Sequence, residues 1–328
     1  MENVFIIGNG FDLDLGLPTK YSDFAASDFW PTVKTSPWKY DGSSQNNSGL
    51  LNTYFYADAP RLGEVIQEAK NRETWFDLEA ELLDYSKEYE KSDPNYTRFS
   101  RESPNEVKTN VEYYNKLRES LNDYILNVEK NHEIRNDCTA RNVLEAIASN
   151  GCFWKIYSFN YTDLNSIATK ARIDWNIEYT HLHGKVSDRS IILGVDETNL
   201  RRGYEIFHKS SSQHYHSHDL YNSLATARVI VIFGLSLSKI DYSYFDKYFK
   251  QISEGKSITD DKKQYITIFT KDDNSRLGII TNFRNMGVNI QRLYAQSHFQ
   301  IICTSDDVEK KELSDFYKRL EEDGHVSI

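Results

Sequence analysis

The chain has 328 residues, 39% of them hydrophobic and 13% aromatic, which is enough to pack one large or two ordinary domains and argues against general disorder. Its net charge of -10 weighs against nucleic-acid binding, which relies on clustered Lys and Arg. Cys138, Cys152 and Cys303 stand far apart without a CxxC pair, excluding a disulfide framework and a four-cysteine zinc site.

The chain opens on MENVFII, without a basic leader, and nowhere carries about 18 consecutive apolar residues. A cytoplasmic protein with no transmembrane segment is expected. VFIIG (4–8) reads as a first strand running into Gly8-Asn9-Gly10 and then Gly16-Leu17-Pro18. A glycine turn in that place brings backbone N–H groups close to an anionic ligand. GxGxxG fails because Leu13 stands where the third glycine would be, and GxxxxGK[ST] has no match at this turn. A tight βα turn with no ligand remains the plain alternative.

Residues 27 to about 140 are polar and helix-rich, and every proline except Pro18 falls between Pro31 and Pro104. DGSSQNNSG (41–49) reads as a loop, whereas 71–91 and 105–132 read as long amphipathic helices. Trp75 and Glu79 lie at i,i+4, and Glu79 and Glu81 could reach into a cleft, although a solvated acidic helix face is the plainer reading. The expected organisation is an α/β core from 1–26 and 141–328, with a helical insertion over 27–140.

CFWKIYSF (152–159) reads as the second strand, and Asn160 just beyond it offers both a donor and an acceptor. Thr162 or Asp163 suits the cap of a helix over 162–172. In YTHLHGKV (179–186), His181 and His183 share a face if the stretch is extended. His183, beside Gly184, is the better general-base candidate, and packing is the plain reading of both. His208, His214, His216 and His218 suggest a metal, although surface histidines in a Ser-rich loop are the simpler account.

VIVIFG (229–234) ends a third strand at Gly234, with Ser236, Ser238 and Asp241 following; Asp241 also suits a plain helix cap. A helix over 241–252, a strand QYITIFT (264–270), a helix over 273–287 ending on Gly287, and a last strand VNIQRLY (288–294) complete the pattern. Continuous apolar runs suit strands covered on both faces. Their alternation with helices predicts right-handed crossovers and an α/β fold, a doubly wound, mainly parallel sheet.

IIGNGFDLDLGLPTKYSDF, FNYTDL, HLHGK and FGLSLSKIDYSYF, in that order, resemble the bacteriophage abortive-infection AbiH family over nearly the whole chain. More distantly, the same four segments resemble the sirtuin-like NAD-binding fold, a Rossmann sheet. That resemblance implies catalytic roles for Asn160 and His183. It places Gly8, Asn9, Gly10, Phe11, Asp12, Thr19, Tyr161, Asp163, Gly234, Ser236 and Asp241 around NAD, held as substrate or ligand. Asn9, Asp12 and Thr19-Lys20-Tyr21 depart from the sirtuin pattern, and its four-cysteine zinc module is missing, so protein deacylation loses support. The implied function is an antiphage abortive-infection effector that hydrolyses NAD to nicotinamide and ADP-ribose without a metal, governed by homo-oligomer assembly or a phage-derived trigger. A sensor that binds NAD or a related nucleotide without cleaving it is the alternative. A metal-dependent nuclease-type toxic effector is the second.

Overall fold

The computed structural model describes residues 2–31, 61–72, 77–89, 102–196, 199–215, 219–255, 263–305 and 310–325. Its six strands are β1 (Asn3–Ile7), β2 (Trp154–Ser158), β3 (Tyr179–His181), β4 (Val229–Phe233), β5 (Tyr265–Thr270) and β6 (His298–Cys303). The described helices begin with α1 (Asn9–Asp14), α2 (Tyr21–Ala26), α3 (Arg61–Arg72), α4 (Leu78–Ser86), α5 (Pro104–Asn131) and α6 (Thr139–Ser149). They continue with α7 (Leu164–Ala171), α8 (Leu220–Thr226), α9 (Tyr242–Ser253), α10 (Asp273–Asn285), α11 (Ile290–Gln296) and α12 (Lys310–His325). The chain divides into two compact units, one of residues 1–20, 125–192 and 214–328, the other of 21–124 and 193–213.

In the first unit all six strands pair in parallel, in the order β3-β2-β1-β4-β5-β6, with helices on both sides of the sheet. This is a Rossmann-like arrangement. Both faces are apolar because the strands are. Val4, Ile6, Ile230, Ile232, Ile266 and Ile268 join one buried cluster with α8, α9 and α10. On the other face Phe11 of α1 packs edge-on to Phe233, centroids 5.4 Å apart, and Phe316 of α12 packs edge-on to Phe269 at 5.0 Å.

Two expected elements differ. VNIQRLY is helical: Asn289 caps α11 by accepting the Arg292 N–H at 3.0 Å, and the last strand is HFQIIC, β6. A short apolar run does not by itself distinguish strand from buried helix. The helix expected over 71–91 is narrower, because the Asp77 carboxylate accepts the Glu79 and Ala80 N–H groups and starts α4 there. DGSSQNNSG and Trp75 lie outside the described residues.

The second unit contains α2, α3 and α4 and is held by buried polar contacts. Asn110 donates to the hydroxyls of Tyr85 and Tyr204, each at 2.9 Å, and Arg201 pairs with Glu102 at 2.8 Å. Glu79 does not sit on a solvated face: it is 7% exposed, accepts the Gly194 N–H at 3.2 Å and lies 3.6 Å from the buried Lys209 ammonium.

The strand order reverses between β1 and β4, and there the turns leaving the two strands touch backbone to backbone. Gly8 N–H donates to Phe233 O at 2.9 Å and Gly10 N–H to Gly234 O at 2.8 Å. A Cβ on Gly10 would lie 2.5 Å from Gly234 Cα; one on Gly234, whose φ is +71°, would lie 2.3 Å from Phe11 N. The glycines therefore answer a packing need between neighbouring turns. Gly234→Ala is expected to lower stability by roughly 3 kcal/mol, from left-handed strain and overpacking together. Gly278→Ala, with nothing within 4 Å of its Cβ, should be neutral or stabilise by up to about 1 kcal/mol. Urea midpoints of the two variants check this, and equal effects would contradict it.

Candidate functional site

Ligands of open parallel sheets bind beyond the carboxyl ends of strands, beside the point where strand order reverses. The turns after β1, β2 and β4 meet at that end, and Asp12 lies among them. Placed in α1 one turn beyond Gly8, it is 1% exposed. Asn160 Nδ2 donates to Asp12 Oδ1 at 2.8 Å and to Gly8 O at 3.1 Å, while Thr162 Oγ donates to Asp12 Oδ2 at 2.9 Å. Both partners are neutral. Burial therefore dominates, and it pushes the Asp12 carboxyl up to about 7 against the lowering effect of these two hydrogen bonds. A hydroxyl can reverse its bond, so Thr162 can serve either the carboxylate or the carboxylic acid.

The β2–α7 turn is fixed from several sides. Asp163 caps α7 by accepting the Asn165 N–H at 2.9 Å, and it also accepts from Tyr179 at 2.6 Å and Ser187 at 2.9 Å. Burial would raise its pKa, but these bonds and Lys185 outweigh burial, and the carboxyl is lowered. Glu129 of α5 accepts the Asp163 backbone N–H. Burial, reinforced by the charge of Asp163, raises Glu129 to about 7 although that hydrogen bond and two lysines oppose the shift. The charge of Glu129 adds a smaller upward contribution to the Asp12 carboxyl.

Asn160 and His183, the catalytic candidates of the resemblance, have different surroundings, His183 packing against Phe159, the residue before Asn160. Asn160 has both amide hydrogens engaged, which leaves its Oδ1 as the remaining side-chain acceptor. His183 is 5% exposed, walled by Phe159 and Tyr244 at centroid distances of 5.3 and 6.0 Å, with its Nε2 3.4 Å from the Tyr244 hydroxyl. His181 is the one that touches the Asn160 turn, Nδ1 lying 3.1 Å from Asn160 O.

The other expected positions divide between surface and core. Asn9 is exposed and accepts from Thr19 Oγ at 2.6 Å; Ser236 is exposed and its carbonyl accepts from Asn282 at 2.9 Å. Phe11 is a core ring, and the Tyr161 hydroxyl donates to Ile192 O at 3.3 Å. Asp241 is 8% exposed at the start of α9, where its side chain makes no capping bond, and Ser238 Oγ is 3.5 Å from it. Gly8, Gly10 and Gly234 supply the turn-to-turn contact already described. Among the described residues no group of three or more His, Cys, Asp or Glu is placed to hold a metal. His216 and His218 lie outside them.

Sequence reasoning gave Thr162 only a capping role and passed over Glu129. A signal existed for Glu129: it follows Leu121 and Ile125 at i+8 and i+4, on the buried stripe of its helix.

The fold is a Rossmann-like α/β arrangement, with a buried carboxyl–amide–hydroxyl cluster beside the reversal of strand order as its candidate site. A family model described as bacteriophage abortive infection AbiH matches residues 4–260, and the chain belongs to that family. No curated protein and no solved structure matches the chain. No described helix is long and apolar enough to cross a membrane.

The raised carboxyls set a sign for pH dependence. A folded-state pKa above the unfolded one gives stability that is complete below about 4 and is lost as pH rises towards 7. For Asp12 the gap between 3.8 and about 7 corresponds to at most about 4 kcal/mol, at 1.36 kcal/mol per pH unit. Asp12→Asn keeps the shape and removes the charge, so its urea midpoint should fall less between pH 4.5 and pH 8 than that of the wild type. Parallel pH profiles would contradict this.

Proposed function

We propose that this AbiH-family chain is an abortive-infection effector that binds NAD at the carboxyl ends of β1, β2 and β4 and hydrolyses it to nicotinamide and ADP-ribose. The observation that carries the reading is Asp12, a carboxyl 1% exposed and bracketed by Asn160 and Thr162 where such sheets take nucleotides, with burial pushing its pKa up. Nicotinamide leaves with the bonding pair of the C1′–N bond, and water adds to the oxocarbenium-like ribosyl cation. The attacking water must lose a proton, and a carboxylate with a pKa near the working pH suits that step. Asn160 Oδ1 holds the water or a ribose hydroxyl. The Thr162 hydroxyl takes the proton from the water side while passing its own to Asp12. Asp12, Asn160, Thr162 and His183 are each less than a tenth exposed, so fixed dipoles act there with little screening.

A second reading, a sensor that binds the nucleotide without cleaving it, is favoured by the direct Gly10–Gly234 contact and by the aromatic walls around His183. Cells expressing the wild type should lose NAD and release nicotinamide after phage infection. Asn160→Ala and Asp12→Asn should slow that loss at least about 100-fold, as for removal of one catalytic group. Protection from phage with NAD intact in the wild type would defeat the hydrolase reading, and NAD binding retained by that protein would favour the sensor.

A further inference from the structure

A cleft of about 500 Å³ is lined by the connection between α5 and α6, the first turn of α6 and the end of α7, and its lining shares no residue with the Asp12 cluster. Arg141, Lys170 and Arg172 supply its charge, and among the described residues of the lining Glu133 is the single carboxylate. On a chain of net charge -10 this is a local reversal of sign. The cations are drawn to one place. Arg141 Nη2 donates to Ala171 O at 3.3 Å, the carbonyl that lies between Lys170 and Arg172 in the chain, while Nη1 pairs with Glu145 at 2.8 Å. Lys170 Nζ donates to His132 O at 2.7 Å.

Two of these cations have a plain structural account. Carbonyls at helix C-termini attract positive charge, and Lys170 and Arg141 each meet one, at the ends of α5 and α7. Arg172 has no such account: its side chain is exposed and makes no hydrogen bond or ion pair with the described residues. Its backbone is left-handed, with φ +56°, at the C-cap of α7, where glycine is the usual residue and a Cβ adds strain. Strain accepted for a side chain without a partner in the protein calls for one outside it. Guanidinium groups match the oxygens of phosphates, and the volume suits a small molecule. Three cations spread around a cleft of this size are met more fully by two linked phosphates than by one. We propose that this cleft is a second small-molecule site, taking a ligand that carries a diphosphate group. Arg172 and Lys170 hold the phosphate oxygens, and Arg141 adds its charge from the wall. The inference does not depend on NAD being hydrolysed at the Asp12 cluster.

Calorimetric titration of the full chain with pyrophosphate in metal-free buffer tests it. Pyrophosphate should bind saturably, less tightly as salt is raised, and about tenfold more tightly than inorganic phosphate. Arg172→Gly is the deciding variant. Glycine fits the left-handed position and removes the guanidinium, so the urea midpoint should hold or rise while pyrophosphate binds about tenfold more weakly. Lys170→Gln keeps a donor for His132 O and removes the charge, and it should weaken pyrophosphate to a similar degree. ADP titrated alongside separates two sources of the same group: equal affinity assigns the site to the phosphates alone, and tighter binding assigns it to a nucleotide. No saturable binding in the millimolar range would overturn the proposal. So would wild-type affinity in Arg172→Gly, or inorganic phosphate bound as tightly as pyrophosphate.

Discussion

Asp12 leaves water when α1 folds back from the end of β1, and its carboxyl accepts hydrogen bonds from the Asn160 amide and the Thr162 hydroxyl, both from the turn after β2. Those two bonds join neighbouring strand ends into one structure. Because neither partner carries a charge, the desolvation cost is not offset by an ion pair, and it is relieved by retaining a proton. The geometry at the carboxyl ends of β1 and β2 thus depends on a group whose charge changes near neutral pH. A structural cross-link and a proton acceptor are the same side chain.

Around that carboxyl the rest of the unit acts as a frame. The β4 turn is held against the β1 turn through Gly10 and Gly234, and neither accepts a side chain without moving backbone. Asp163 gathers Asn165, Tyr179 and Ser187, and Glu129 holds the Asp163 backbone from α5. His181 stands between this frame and a cleft along the sheet edge.

The strands most readily read from sequence were those with continuous apolar runs, β1, β2, β4 and β5, because burial on both faces leaves few alternatives. VNIQRLY misled because a seven-residue apolar-polar mix fits a strand or one face of a helix, and the deciding feature was the Asn289 cap. β6, at HFQIIC, was overlooked for the converse reason: its partly exposed edge position weakens the apolar signal. The motifs fall on turns that meet at one end of the sheet, while the partners inside them were not legible. The spacing of Asn160 and Asp12, 148 residues apart, says nothing of their contact. Gly8 and Gly10 suggested a ligand approaching the backbone, and the neighbour they admit most closely is the Gly234 turn. A glycine records that something comes near without recording what.

A direct titration of the Asp12 carboxyl reads whether it holds its proton close to neutral pH. With carboxyl-labelled aspartate, carbon NMR of the wild type and Asp12→Asn isolates one resonance by difference. Its midpoint is expected at about 7. A midpoint near 4, as for an aspartate in water, would contradict it.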